Sequence, residues 1–413
     1  MDHANSLKIS DFDYNLPQEL IAQTPIEPRD ASQLLVVHRA SGKLEHSHFR
    51  DLGKYLRQGD LLIANQSRVL PARLLGHRAE TGGTVEVLLL AERPDIGPDC
   101  WEALVRPGRR LREGTRIIFR DDAPSNEQSR GRFIAPTADY IPCRPAEAQP
   151  RTQSVAGRNG SRRSARVKAA SLYGEILERT EAGGRIVRFS VSEYSSKSGE
   201  GLFGRHLTVW ELIERLGRMP LPPYIHETLK DPERYQTVYA RISGSAAAPT
   251  AGLHFTPQLL EQLRRQGVRV GFVTLHVGLD TFRPVECEDV SEHKMHSEQI
   301  DLDAATAELI SETRRAGGRV IAVGTTVVRV LESIASFNEG EIRPYAGSTR
   351  LFITPGYRFQ VVDALITNFH LPRSTLLLLV SAFAGKTLIE KAYQEAMRGQ
   401  YRFFSFGDAM LIV

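Results

Sequence analysis

Between Thr256 and Val277 a short amphipathic helix passes almost directly into a strand, and this pairing constrains the fold more than any other stretch. Thr256 stands where a helix N-cap belongs, and Pro257 sits in the first turn, where its missing N–H costs nothing. Gly267 lets the chain leave the helix. The spacing predicts a helix over 257–266. The segment Val268–Val277 is β-branched and nearly continuous, the pattern of a strand buried on both faces of a parallel sheet. Functional groups of open α/β sheets gather beyond the carboxyl ends of their strands. His276 and Asp280 fall at that end.

From Tyr224 onward helical and strand patterns alternate: a helix over 303–316, a strand over 319–323, helices over 326–334 and 388–397, and a last strand near 401–406. Strands over 33–37 and 60–64 open the chain with mixed α and β character. Between these regions the character changes. The segments 83–90, 101–105, 115–119 and 184–191 read as short strands separated by Gly, Pro and Asp turns, as in a small antiparallel barrel. Helix resumes over 209–216. The expected fold class is α/β: a discontinuous α/β main domain (1–66 and 208–413) with an inserted antiparallel β-barrel domain (67–207).

The 413 residues are 41% hydrophobic and 25% charged, which excludes a disordered chain and allows two domains. The N-terminus lacks a basic, apolar leader, and runs such as Leu376–Val380 are too short to span a bilayer, so a cytoplasmic protein with no membrane partner is expected. Cys100, Cys143 and Cys287 are widely spaced with no CxxC pair, which argues against a disulfide framework or thiolate metal site. The net charge of +4 is local in origin: Arg151, Arg158, Arg162, Arg163, Arg166 and Lys168 lie in the acid-free tract 148–174, and the rest of the chain is net acidic. The stretch 123–170 has few large apolar residues and reads as a flexible basic loop, either a solvated insertion or an arm for a polyanion.

Pro249, Thr250 and Gly252 form a turn before His254 that suits a ligand-facing loop, although His254 also reads as a satisfied loop histidine. His276 lies within an apolar strand, where an imidazole must find a hydrogen bond or a ligand. His293, His296 and Glu298 could form a metal site or serve acid–base chemistry, but the order of residues matches no metal motif of known mechanics. Gly324, Thr325 and Thr326 connect a strand to a helix start, a good cradle for an anion, with Arg329 one turn on. Around Tyr401 aromatics alternate with Arg402. Phe404 and Phe406 read as core, which leaves Tyr401, Arg402 and Asp408 as surface candidates.

Taken together, the motifs at 219–225, 247–255, 273–278, 293–298, 322–326, 367–372, 374–375 and 401–410 resemble the S-adenosylmethionine:tRNA ribosyltransferase-isomerase family, in matching order over nearly the whole chain. The resemblance implies transfer of the ribosyl part of S-adenosylmethionine to a 7-aminomethyl-7-deazaguanine at the tRNA wobble position. Isomerisation then gives an epoxyqueuosine, and adenine and methionine leave. S-adenosylmethionine would be consumed as substrate, with no cofactor or metal, by a monomer. His254, His276, His296 and Glu298 are the acid–base residues the resemblance implies, and it adds Asp280, Thr281, Phe282, Asn368 and His370 to the substrate contacts. Asp280 departs from the glycine common in the family, and the basic tract is an extra insertion.

Overall fold

A computed structural model describes residues 7–120, 171–180, 183–191, 207–278, 285 and 287–413. A nine-stranded sheet forms its centre, in the order Tyr345–Thr349, Glu298–Leu302, Arg269–Leu275, Leu61–Asn65, Val320–Val323, Ala364–Asn368, Ala409–Ile412, Gln33–His38, Lys43–His48. The four strands from Arg269–Leu275 to Ala364–Asn368 are mutually parallel. Their carboxyl ends therefore share one edge, which carries His276, Asn65, Gly324 and Asn368. Glu298–Leu302 and Ala409–Ile412 run antiparallel to these, so their first residues reach the same edge. Seen from the sequence, Glu298 and Asp408 are remote from His276; reversal of their strands brings them to its side of the sheet.

The predicted helix over 257–266 forms as Pro257–Arg265, with Thr256 Oγ1 accepting the Leu259 N–H at 3.1 Å. Leu259, Leu260 and Leu263 pack it on one face of the sheet, while Thr325–Phe337 and Thr375–Ala384 fill the other. Fully burying one such leucine contributes about 1.5–3 kcal/mol. The sheet thus has two separate cores, which explains why its central strands lack polar alternation.

Six antiparallel strands close into a barrel: Arg73–Arg78, Thr84–Glu92, Cys100–Arg106, Arg116–Phe119, Leu172–Arg179 and Arg185–Val191. Closure leaves no open edge among them, and its core includes Leu74, Val87, Trp101, Ile117, Phe119, Leu172 and Val187. The helix Val209–Leu216 packs on this core through Val209, Leu212 and Ile213.

The loop read over 123–170 lies outside the described residues; directly after it, Leu172–Gly174 belong to a barrel strand, with Leu172 fully buried and paired to Phe119 and Val191. One expectation changes. The last strand is Ala409–Ile412 rather than 401–406; the aromatic stretch before it is irregular because Tyr401, Phe403 and Phe404 turn into the core against Phe369 and Tyr224.

Candidate active site

A cavity of about 1170 Å³ opens between the carboxyl edge of the sheet and the barrel. His276, Gly278, His296, Glu298 and Arg329 line the sheet side; Arg93, Trp101, Glu102, Leu104 and Gly184 line the barrel side, with Trp210 from the following helix. A smaller recess of about 60 Å³ adjoins it, sharing Val277 and Leu376, and is walled by Pro249, Thr250, Gly324–Thr326, Asn368 and His370.

His276 follows the strand Arg269–Leu275 and keeps the sheet ladder through its N–H to Gln299 O at 3.1 Å. Its imidazole stands where a side chain at Gly244 would go. A Cβ at that glycine would stand 2.7 Å from Cε1 and 2.8 Å from Nδ1, and Gly244 has φ of 141°. Nδ1 has no hydrogen-bond partner among the described residues, and burial lowers the imidazole pKa. The ring is therefore predominantly neutral at pH 7, and Nδ1 is buried against Gly244 rather than open to the cavity.

Glu298 and Arg329 form a buried ion pair, their side chains 9% and 8% exposed. Glu298 also accepts the Gly278 N–H at 3.3 Å, and Arg329 Nε donates to Leu351 O at 3.1 Å. The expected pairing of Arg329 with an anion at the Gly324 turn is thus replaced: one helical turn carries the guanidinium to the large cavity, where Glu298 holds it. The turn itself lines the recess without it. Gly324 caps the helix Thr325–Phe337 with no side-chain hydrogen bond, leaving the first N–H groups available, and Thr326 Oγ1 is buried without a partner among the described residues.

His254 is 4% exposed and lines neither cavity. It closes the 3₁₀ turn Thr250–His254, stacks on Phe49 with ring centroids 5.0 Å apart, and bridges Ser32 Oγ at 2.8 Å and Asn368 Nδ2 at 3.1 Å. Since the amide nitrogen donates, His254 Nε2 accepts and Nδ1–H donates to Ser32. Burial first, then the charges of Arg402, Arg29 and Arg234, lowers its pKa to about 3. Asn368 passes the relay on: Oδ1 accepts Thr250 Oγ1 at 3.2 Å, and Nδ2 also donates to Phe404 O at 3.1 Å. His254 therefore supports the recess wall from behind.

Gly252 is likewise buried: a Cβ there would collide with the Tyr239 hydroxyl, so the missing side chain makes room for protein. His370 lines the recess, contacts Thr367 Oγ1 at 2.8 Å, and burial lowers its pKa to about 3. His296 is exposed at the large cavity. No cluster of three or more metal-type donors occurs among the described residues. Asp280, Thr281 and Phe282 lie outside them.

Two of the three surface candidates are interior groups. Tyr401 is fully buried and meets His46 Nδ1 at 2.9 Å. Asp408, 1% exposed, accepts the Gln33 and Arg402 N–H groups at 2.8 and 2.7 Å, tying the strand start to the preceding turn. Burial raises its pKa. Arg402 is partly buried and donates to Thr24 O at 3.1 Å. The barrel wall carried no local signal: Trp101 and Trp210, in edge contact at 5.2 Å, reach the cavity only through tertiary closure.

These features define an α/β enzyme whose cleft lies at the carboxyl edge of a largely parallel sheet and is walled by a second, all-β unit. Residues 9–412 match the family described as queuosine biosynthesis protein. An S-adenosylmethionine:tRNA ribosyltransferase-isomerase of Symbiobacterium thermophilum is 51% identical over 407 residues, covering 98% of this chain and all of its own. The enzyme of the same name from Moorella thermoacetica is 50% identical over 408 residues with the same coverage. A crystal structure of S-adenosylmethionine tRNA ribosyltransferase from Thermotoga maritima is 36% identical, covers 98% of this chain and all of its own, and aligns with a TM-score of 0.48. The chain belongs to the queuosine biosynthesis family, within its S-adenosylmethionine:tRNA ribosyltransferase-isomerases, a class of transferases.

Proposed function

We propose that this chain transfers the ribosyl moiety of S-adenosylmethionine to the 7-aminomethyl-7-deazaguanine at a tRNA wobble position and isomerises it, giving epoxyqueuosine-tRNA with release of adenine and methionine. The observation that carries this reading is the cavity of about 1170 Å³. Small-molecule sites span roughly 300–1,000 Å³. A cavity above that range suits a reaction in which a nucleoside donor and an extruded nucleobase must meet.

Removal of a proton from the ribose carbon next to the sulfonium starts the sequence, followed by loss of adenine, attack by the amine, and ring closure to the epoxide as the carbon–sulfur bond breaks and methionine leaves. In this reading His276, whose predominantly neutral imidazole lines the cavity, is the base. His296, exposed at the same cavity, moves protons to or from the departing groups in this reading. The Glu298–Arg329 pair orients that wall through Gly278 and Leu351. Pro249, Thr250, Gly324–Thr326, Asn368 and His370 hold part of a substrate in the recess. No metal enters the scheme, every group comes from one chain, and a cytoplasmic site of action accords with a tRNA substrate; no helix of the described residues is long and apolar enough to cross a membrane.

Incubation with S-adenosylmethionine and a tRNA bearing the aminomethyl base tests the proposal. Adenine and methionine should appear in equal amounts together with modified tRNA. Failure to release adenine from a folded sample, with a tRNA that a relative modifies, rejects it.

A further inference from the structure

On the barrel, the strand Cys100–Arg106 leaves the cavity wall and enters a turn with four exposed arginines in seven residues: Arg106, Arg109, Arg110 and Arg112. Leu104 lines the cavity, so Arg106 lies about 7 Å farther along the strand at about 3.4 Å per residue. The turn is anchored twice. Leu111 is fully buried in the barrel core. Beneath the turn, Arg185 donates to the carbonyls of Gly108 at 2.8 Å, Leu111 at 3.1 Å, Gly183 at 3.2 Å and Gly184 at 2.8 Å.

Among the described residues none of these five arginines has a carboxylate partner, whereas Arg73, Arg93 and Arg188 on the same barrel are paired with Glu86, Asp95 and Glu175. Glu86, opposite Arg106 in strand register, is thus committed to Arg73. Glu113 is the one acidic residue in the turn or next to it. A buried guanidinium held only by carbonyl dipoles has no carboxylate to cancel it, and so adds to the positive potential of the arginines above it. Planar guanidinium forks match phosphate oxygens in pairs, better than point-charge ammonium groups do.

We propose that the turn Arg106–Arg112 is a preformed phosphate clamp that grips the RNA backbone beside the nucleotide entering the cavity. The proposal rests on the tRNA reading above and assigns it a surface. Arg185 acts as the scaffold, fixing the turn before RNA arrives, and the arginines supply position and affinity while the cavity selects the base.

The test is the triple variant Arg109→Gln/Arg110→Gln/Arg112→Gln, assayed for binding of a tRNA transcript by fluorescence anisotropy across a salt series. A control variant, Arg264→Gln/Arg265→Gln/Arg315→Gln, removes the same charge from exposed positions at helix ends on the opposite edge of the sheet. The clamp predicts at least about a tenfold loss of affinity in the first variant, with the slope of log K against log salt flattened by about 0.7–0.9 for each phosphate no longer neutralised. Its kcat at saturating tRNA and its KM for S-adenosylmethionine should stay at the parent values, and the control should bind like the parent. Unchanged affinity and slope in the first variant, equal losses in both variants, or no tRNA binding by the parent chain would each overturn the inference. A parent that binds tRNA through this turn but releases no adenine would reject the proposed reaction and leave the clamp standing.

Discussion

His254 Nε2 accepts a hydrogen bond from Asn368 Nδ2 at 3.1 Å, and Asn368 in turn accepts from Thr250 at 3.2 Å in the wall of the recess. A histidine that looks ligand-facing in sequence thereby becomes a buried support one layer behind the site. Its neutral form is required: protonated, Nε2 could not accept, and the amide nitrogen of Asn368 would lose one of its two acceptors.

His254→Ala should therefore weaken the fold as well as the activity. It removes a stacked ring and deprives Ser32 Oγ and Asn368 Nδ2 of one partner each. The expected loss is about 3 kcal/mol, from a core cavity plus buried groups that cost about 1–3 kcal/mol when unpaired. Urea unfolding of the variant checks this; a loss below about 1 kcal/mol would show that the relay is slack.

The buried histidines also set an acid limit. His254 and His370 have folded pKa values of about 3, against an unfolded value of about 6.5. Between those limits the unfolded chain binds more protons than the folded one, so stability rises with pH. Their contribution is complete above about pH 6.5 and is lost as pH falls toward 3. Each should add about 1.4 kcal/mol per pH unit to the slope within that window. Unfolding at pH 5.0, 5.5 and 6.0 measures the sum, and His254→Ala should remove about one histidine's share; an unchanged slope in that variant contradicts the assignment.

The helix Pro257–Arg265 and the strand after it were legible because both ends carry the residues that caps and turns require. Thr375–Ala384 was not, since a helix that buries its own Leu377, Leu378 and Val380 around its circumference has no polar face to give a helical period. The barrel strand Arg73–Arg78 was hidden because an outward Leu75 and a buried Gly76 break the apolar alternation, and Leu172–Arg179 by the basic composition that precedes it. In the site, His276 could be read from its place at a strand end. The inward turn of Asp408 could not, because its partners at Gln33 and Arg402 are backbone groups with no signature in side-chain chemistry. The replacement of an anion by Glu298 beside Arg329 was hidden for another reason: the two residues lie on separate elements, a strand and a helix, that only the folded sheet brings together.

Gly244 and His276 form the most specific positional couple at the cavity. Gly244→Ala places a methyl group where the imidazole now lies and strains a backbone at φ of 141°, so the ring must swing away. Turnover should fall by about 10²-fold, approaching the deficit of His276→Ala, since acid–base groups contribute about 10²–10⁴. The double variant should be no worse than His276→Ala alone. Freed from burial, the displaced imidazole should also titrate closer to its ordinary value than in the parent, which histidine NMR reads directly. Additive losses in rate with an unmoved titration would show that Gly244 acts on something other than His276.

Arg329 and Glu298 provide the last test, because a buried pair and a ligand-binding arginine fail differently. Arg329→Met leaves the Glu298 carboxylate without its cation on a side chain 9% exposed, and breaking one side of a buried pair costs about 3–5 kcal/mol. Replacing both partners, as Arg329→Met/Glu298→Gln, removes the stranded charge and should recover at least about 2 kcal/mol of that loss. Activity should follow a different course. If the pair orients Gly278 and Leu351 in the cavity wall, the double variant regains its fold but turns over slowly, with kcat reduced more than the KM for either substrate. An arginine that bound a substrate anion directly would instead raise one KM selectively in both variants, and stability would hardly respond to the second substitution. Denaturation curves and separate KM values for S-adenosylmethionine and tRNA therefore distinguish a wall-forming ion pair from a substrate clamp.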